Sequence, residues 1–151
     1  MANVSAGSVF LQNDGFTVLQ HNAADLAILS EQVHGFTDKE KLLGKVHEKI
    51  TLRSHAYKVQ FVGAASNPQI ISDKPLFTYN NYFIGNDPSK WASNCKIFQG
   101  ITVKNIYPNI DVRYYSNNGQ MKYDIIVHPG AKLSDLALKF DGVDKLEVKR
   151  F

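Results

Sequence analysis

The fold is decided by the stretch Asn109-Ile-Asp-Val-Arg-Tyr-Tyr-Ser-Asn-Asn-Gly-Gln-Met-Lys-Tyr-Asp-Ile-Ile-Val127, which holds two alternating runs around Asn118-Gly119. Asn-Gly is a strong signal for a two-residue hairpin turn, because both residues tolerate a positive φ. If these two residues form the turn, Asn117 faces Gln120, and each further pair lies one residue farther along both strands. Tyr114 then faces Tyr123. The sequence therefore predicts an antiparallel hairpin whose register is fixed by its turn.

This register sorts the side chains of the hairpin onto two faces. A slip of one residue would turn every apolar side chain to the wrong face, so the pairing is strongly specified. Arg113 faces Asp124 across the strands, which predicts an ion pair on a solvated face. The opposite face is the predicted core side and carries Ile110, Val112, Tyr114, Tyr123, Ile125 and Val127.

Shorter strand signals, separated by turn residues, recur along the rest of the chain. Many short strands of this kind predict a mostly β fold, either an antiparallel β-sandwich or an open barrel. Residues 21–52 interrupt the pattern, and we predict a partly helical insertion there, with a helix over 23–33 and a weaker one over 37–50. The strand signals are a hairpin over 9–20 turning at Asp14-Gly15, a strand at His55–Val62, a short one at Ile70-Ile71, and alternating runs at Leu136–Phe140 and Leu146–Val148.

The bulk properties of the chain narrow its class. A length of 151 residues fits one domain with a real core. The net charge of +3 comes from scattered lysines, so we expect no nucleic-acid partner. No apolar run approaches the roughly 18 residues of a membrane span, so we expect no membrane insertion. Cys95 is the single cysteine, which excludes an internal disulfide.

Both ends of the sequence suggest a piece of a longer multidomain protein. The start lacks the charged and apolar regions of a signal peptide. The end, Lys145-Leu-Glu-Val-Lys-Arg-Phe151, stops within an alternating pattern. We therefore expect a single domain over 1–151 that belongs to a longer chain.

Motifs for catalysis, cofactors or metals are missing from the sequence. The five histidines show no spacing typical of a zinc site, and there is no nucleotide-binding glycine loop or nucleophile elbow. We predict no catalytic residues, no metal and no cofactor. Asp111 and Asp124 lie on one face of the hairpin and could form the carboxylate pair of a glycosidase. A plain ion pair with Arg113 is the favoured interpretation.

Aromatic residues crowd the region between Tyr79 and Tyr123. Exposed aromatic faces can stack on sugar rings, although aromatic residues of a β-protein more often belong to its core. The hypothesis of a ligand-binding set therefore concerns three residues, Trp91, Tyr107 and Tyr115.

Several segments of the chain resemble one family. They are Val9-Phe-Leu-Gln-Asn-Asp-Gly15, His55-Ala-Tyr-Lys-Val-Gln-Phe-Val-Gly63, Asn81-Tyr-Phe-Ile-Gly-Asn-Asp-Pro-Ser-Lys-Trp91, Ile106-Tyr-Pro-Asn-Ile-Asp111 and Tyr123-Asp-Ile-Ile-Val-His-Pro-Gly-Ala131. Together they are similar to the amino-terminal β-rich domain, of unknown function, of large bacterial surface proteins. Those proteins often carry SBBP-type propeller repeats or a gliding-motility-associated carboxy-terminal region.

The resemblance implies a secreted or cell-surface module whose partners are downstream domains of its own polypeptide. It brings no catalytic residues with it. The leading hypothesis is a non-catalytic extracellular structural or adhesive module. The alternatives are a carbohydrate-binding module, which would have a polysaccharide partner, and a polysaccharide hydrolase.

Overall fold

The computed structural model describes residues 2–4, 6–34 and 51–149. The strands form two separate sheets, with orders β1-β2-β3-β4-β9 and β5-β6-β7-β8. The chain divides into two compact units, Met1–Gln60 with Lys139–Phe151 and Phe61–Leu138. The elements are β1 (Ala2–Val4), β2 (Gly7–Gln12), β3 (Gly15–His21), α1 (Ala23–His34), β4 (Ser54–Phe61), β5 (Gln69–Tyr82), β6 (Ala92–Tyr107), β7 (Ile110–Asn117), β8 (Gln120–Val127), β9 (Leu138–Asp141), and short 3-10 helices at Pro88–Lys90 and Leu133–Asp135.

The prediction of a mostly β, antiparallel fold with a short helix in the insertion is confirmed. Strands β1 to β4 pair antiparallel in sequence order, and so do β5 to β8. Within the described ranges neither sheet closes on itself. Two open sheets fit the sandwich class of the prediction rather than a barrel.

The first unit contains the predicted hairpin over residues 9–20, but its turn lies one residue earlier than expected. Gln12 pairs with Gly15, so Asn13 and Asp14 form the loop. Gly15 is needed for space, because a Cβ there would lie 2.1 Å from the Val59 carbonyl oxygen of β4. The buried apolar side chains of this unit are Val9, Phe16, Val18 and Val59.

The predicted helix in the insertion is confirmed as α1, and its first turn is bonded to the start of β4. Asn22 caps the helix, since its Oδ1 accepts hydrogen bonds from the Ala24 and Asp25 amides at 3.0 and 3.1 Å. Asp25 in turn accepts from the Arg53 amide, Nε and Nη2. The weaker helix predicted over 37–50 lies outside the described residues.

The second unit contains the hairpin that decided the fold, and its predicted register is confirmed at every pair. Asn117 pairs with Gln120, Tyr114 with Tyr123 and Ile110 with Val127. The β7 half of the predicted core face is buried, whereas the edge strand β8 is more exposed. The buried apolar side chains of this unit are Phe61, Val103, Ile106, Tyr107, Ile110, Val112 and Tyr114.

One strand prediction is too short and another is wrong. The strand expected at Ile70-Ile71 forms, but it is part of β5, which continues through Pro75 to Tyr82. Proline is tolerated there because β5 is an edge strand, where an amide facing away from the sheet needs no ladder partner. The strand predicted around Leu146 and Val148 is not formed, and both side chains are exposed. Alternation without a partner strand and a buried face does not suffice to make a strand.

Candidate functional site

A bulge in β6 shapes the polar face of the second sheet. Val103 pairs with Val112 and Tyr107 pairs with Ile110, so residues 104–106 of β6 stand opposite Asp111 alone. Asn105 sits at the centre of this bulge with a φ of 49°. Asparagine adopts such left-handed backbone at lower cost than other non-glycine residues. The bulge therefore frees an amide and turns it toward β7.

Asp111 fills the space opposite the bulge and is 1% exposed. Its Oδ1 accepts the freed Asn105 amide at 2.8 Å. Its Oδ2 accepts from the ammonium of Lys104 and lies 2.8 Å from Nε2 of His128. The carboxylate is thus held by three donors when His128 carries its proton on Nε2.

These contacts fix the protonation state of Asp111. Burial by itself would raise the pKa of this carboxyl group, because it disfavours the charged form. The hydrogen bonds from Lys104, the Asn105 amide and His128 outweigh burial and lower the pKa from 3.8 to about 2. Asp111 is therefore a permanent anion at neutral pH.

The position of Asp111 corrects the predicted solvated face. Its carboxylate is buried and committed to donors from β6 and from the end of β8. His128 was not singled out from the sequence, although the hairpin register contains the signal. Asp111 faces Ile126, and residue 128 is the next residue on the same face, which makes it a diagonal neighbour.

Arg113 faces Asp124 as predicted, but its ion pair is with Asp73 on β5, at 2.7 Å. The guanidinium lies 5.0 Å from the ring centre of Tyr115, whose hydroxyl donates to Asp124 at 3.3 Å. Asp124 itself is exposed. Asp111 and Asp124 therefore have different partners and different burial, unlike two carboxyl groups that flank one substrate.

Gly100 of β6 lies where the backbone of β7 comes close. It lies between its partners Asp73 and Tyr115 in the sheet. A Cβ at this position would come within 2.9 Å of the Tyr114 carbonyl oxygen and 3.5 Å of Arg113 Nη2. The close approach of the Tyr114 carbonyl oxygen therefore requires the glycine, whereas Arg113 Nη2 would be at ordinary contact distance.

The β5–β6 hairpin extends beyond the rest of its sheet. Strand β7 pairs with β6 only between Gly100 and Tyr107. Residues 75–98, which we call the arm, therefore form a two-stranded ribbon with the connecting loop at its tip. Large apolar side chains are exposed along this arm, at Leu76, Phe77, Tyr79, Phe83, Ile84 and Trp91.

The tip of the arm is held by its own hydrogen bonds. Asp87 caps the 3-10 helix Pro88–Lys90, accepting from the Ser89 amide at 3.1 Å and from its hydroxyl at 2.7 Å. Nε1 of Trp91 donates to the Gly85 carbonyl at 3.2 Å, and the indole packs edge-on against Phe83 with ring centres 5.6 Å apart. The Trp91 ring is thereby fixed while 43% exposed.

The structure separates the three aromatic residues of the predicted binding set. Tyr107 is 4% exposed, its ring packs edge-on against Phe61, and its hydroxyl donates to the carbonyl oxygens of Val62 and Ala137. The ring of Tyr107 is therefore not accessible for stacking on a sugar, and Tyr107 is not a candidate binding residue in this structure. Tyr115 is half-buried and carries the guanidinium of Arg113. Trp91 alone keeps a substantially exposed ring.

Within the described ranges, no group of three or more His, Cys, Asp or Glu side chains is placed to hold a metal ion. Over the same residues, no helix has the length and apolar character needed to cross a bilayer.

Comparison with known proteins gives one match. No curated protein and no solved structure matched the chain. A family model described as domain of unknown function DUF7948 matches residues 1–150. Because this match spans nearly the whole sequence, the chain belongs to the DUF7948 family of domains of unknown function.

Proposed function

We propose that this chain is a non-catalytic structural or adhesive module of a large secreted or cell-surface protein, and that its arm holds another protein. The observation that carries the proposal is the row of exposed apolar side chains between Leu76 and Trp91. Single exposed apolar residues are ordinary, but six on one hairpin, with the rings of Phe83 and Trp91 in contact, favour an interaction surface. The extracellular setting follows from the resemblance to surface proteins with SBBP repeats or gliding-motility-associated regions.

The composition of the arm favours a protein partner. Leu76 and Ile84 are aliphatic, so they offer no ring face to a sugar, and Phe77 projects fully into solvent. Aromatic and aliphatic anchors together are typical of the buried centre of protein–protein interfaces. Between residues 76 and 91 the only charges are Asp87 and Lys90, which lie 3.5 Å apart and cancel. The partner surface is therefore expected to be apolar and uncharged.

Carbohydrate binding is the second candidate, and the fixed indole of Trp91 is the observation that favours it. A rigid, partly exposed ring loses little conformational freedom when a sugar stacks on it. The neighbouring side chains of Asn86 and Asp87 would supply polar contacts. A single ring on a convex tip offers less area than the apolar row, so this candidate ranks second.

A polysaccharide hydrolase has the least support. A general acid must exchange a proton near neutral pH, and this needs a raised pKa. The pKa of Asp111 is lowered instead, to about 2, by donors that already occupy both of its oxygens. Asp124 lies exposed beside Tyr115 rather than in a cleft with Asp111.

A bead-adhesion assay tests the proposal. Beads carrying the chain are brought onto surfaces coated with the same chain, with serum albumin, with cellulose or with chitin. We expect adhesion to a protein surface that falls at least tenfold in the double variant Phe77→Ser, Ile84→Ser. The matched control, Leu133→Ser with Val148→Ser, also removes two exposed apolar side chains, but outside the arm.

The outcomes of the bead assay separate the candidates. Adhesion to cellulose or chitin that is lost in Trp91→Ala would favour the carbohydrate-binding module. Adhesion that both double variants retain, or no adhesion at all, would reject the arm as a docking surface.

A further inference from the structure

We propose that the partner of the arm is a second copy of this chain. This inference rests on the proposed function, because it identifies the protein that the apolar row contacts. The two arms would pack side chain against side chain, related by a twofold axis as in most homodimers. Three features of the arm support this pairing: its charge, its size and its exposed ribbon.

Charge permits the arm to meet its own copy. A twofold contact brings each group close to the equivalent region of its mate, so a charged surface would repel itself. Asp87 and Lys90 neutralise each other within the tip, and the apolar row contains no other charge. The second lysine of the arm, Lys96 on β6, pairs with Tyr79 across the ribbon, so it lies within the half of the row that is farther from the tip. Two copies of the tip, residues 83–91, can therefore meet through Phe83, Ile84 and Trp91 without bringing like charges together.

The six exposed apolar side chains of the arm are enough for the apolar centre of a dimer interface, where a handful of residues carry most of the binding energy. A stable interface of standard size takes roughly 20–30 residues and about 800 Å² from each partner. The arm covers residues 75–98, and six large apolar side chains are exposed on it. Its aromatic members, Phe77, Tyr79, Phe83 and Trp91, belong to the residue types enriched in such interfaces.

The ribbon form of the arm also favours coverage by a partner. An isolated two-stranded ribbon is only marginally stable in water unless further strands or a packed face support it. Beyond Gly100 the arm has no third strand from β7. Phe77 projects from a segment where β5 carries extra residues opposite β6, between the pairs Pro75–Phe98 and Tyr79–Lys96. A second arm packed against this segment would cover it.

Trp91 supplies an internal reporter, because it is the only tryptophan of the chain and lies in the arm. Sedimentation velocity and tryptophan emission are measured together from about 1 to 100 µM, the weak end of the range for interfaces of this size. We expect a monomer–dimer equilibrium and a blue shift of Trp91 emission along the same concentration curve. The Phe77→Ser, Ile84→Ser variant should dimerise at least tenfold more weakly, while Leu133→Ser, Val148→Ser should match the original chain.

Each remaining result overturns the inference. A monomer at every concentration, or a dimer without a shift of Trp91 emission, excludes arm-to-arm contact. A dimer that survives in the arm variant shows that the second copy binds elsewhere. If the chain stays monomeric while its beads adhere to albumin through Phe77 and Ile84, the arm binds a different protein, and the broader docking role stands. If arm-dependent adhesion is also absent, both proposals fail.

Discussion

Asp111 is the residue on which the polar face of the second sheet depends. It is the anion opposite a bulge that frees one backbone amide, and it lies between a lysine and a histidine. A buried carboxylate is tolerated only when its oxygens are satisfied, and here both are. Its role in the described structure is therefore to hold β6, β7 and the end of β8 in one arrangement.

Asp111→Asn should destabilise the chain by about 2–3 kcal/mol, because removing one partner leaves the buried contacts of the others unsatisfied. This loss is smaller than the loss expected when one partner of a fully buried ion pair is removed, because the side chains of Lys104 and His128 are partly exposed to solvent. Urea unfolding followed by circular dichroism measures the loss. Asp124→Asn, on the exposed neighbour, should change the free energy of unfolding by less than about 0.5 kcal/mol. Equal losses in the two variants would contradict the assigned role of Asp111.

Gly100→Ala tests the close approach of the β7 backbone to β6. The added methyl group would meet the Tyr114 carbonyl at 2.9 Å, a distance that forces backbone or side chain to shift. We expect a loss of about 1–3 kcal/mol in the free energy of unfolding, as for other overpacked sites. Gln99→Ala, at an exposed neighbour, is the control and should be nearly neutral. If Gly100→Ala leaves the free energy of unfolding unchanged, the two strands accommodate a Cβ at this position and the assigned close contact is contradicted.

At the scale of elements, the β7–β8 hairpin and the arm contrast with each other. Local sequence predicts the turn, the register and the core face of the β7–β8 hairpin. The turn and the register form as predicted, and the core face is buried on β7 but more exposed on the edge strand β8. The arm has strong local order at its tip, through Asp87 and Trp91, but its apolar row has no described partner in its own chain. Local order and exposed apolar surface together are the observations on which the proposed docking role of the arm rests.

The Asn118-Gly119 turn provides a test at this scale. Both residues have positive φ, 50° and 72°, and the space around Gly119 is open. Gly119→Ala should therefore cost about 1 kcal/mol from backbone strain alone, without a steric clash. Thermal unfolding measures the effect, and Ser116→Ala in the same hairpin should leave the midpoint nearly unchanged. An unchanged midpoint in Gly119→Ala would refute a left-handed turn.

At the scale of the whole molecule, a carboxylate with a strongly lowered pKa is found among the described residues of each compact unit. In the first unit, hydrogen bonds from Arg53 lower the pKa of Asp25 to about 2. In the second unit, the donors around Asp111 outweigh its burial and give the same value. A pKa lowered by folding makes the folded state more stable wherever the carboxyl group is ionised in both states.

Acid should therefore destabilise the chain within a defined window. The contributions of Asp25 and Asp111 are complete above the unfolded pKa of about 4 and are lost as pH falls toward their folded pKa of about 2. Asp111→Asn lacks one contribution, so the stability gap between it and the original chain should narrow from pH 5 to pH 2. Denaturant unfolding across this range measures the gap. A gap that stays constant with pH would contradict the lowered pKa.

The amount of structure predictable from sequence differs from place to place for physical reasons. Strand periodicity and turn chemistry are local, so they were sufficient for the mostly β class, for α1 and for every pair of the β7–β8 hairpin. Strand formation at Leu146 and the path of β5 through Pro75 were predicted incorrectly. Both depend on which strand lies alongside, and local sequence does not encode that neighbour.

The candidate site follows the same division. The sequence by itself determined that Asp111, Arg113 and Asp124 share a face, because alternation along a strand has a period of two. Only the tertiary structure decided that Asp111 is buried beneath a bulge, that Arg113 binds Asp73, and that Tyr107 is hidden while Trp91 is not. Burial and ion pairing depend on side chains that are distant in the chain, and folding alone brings these together.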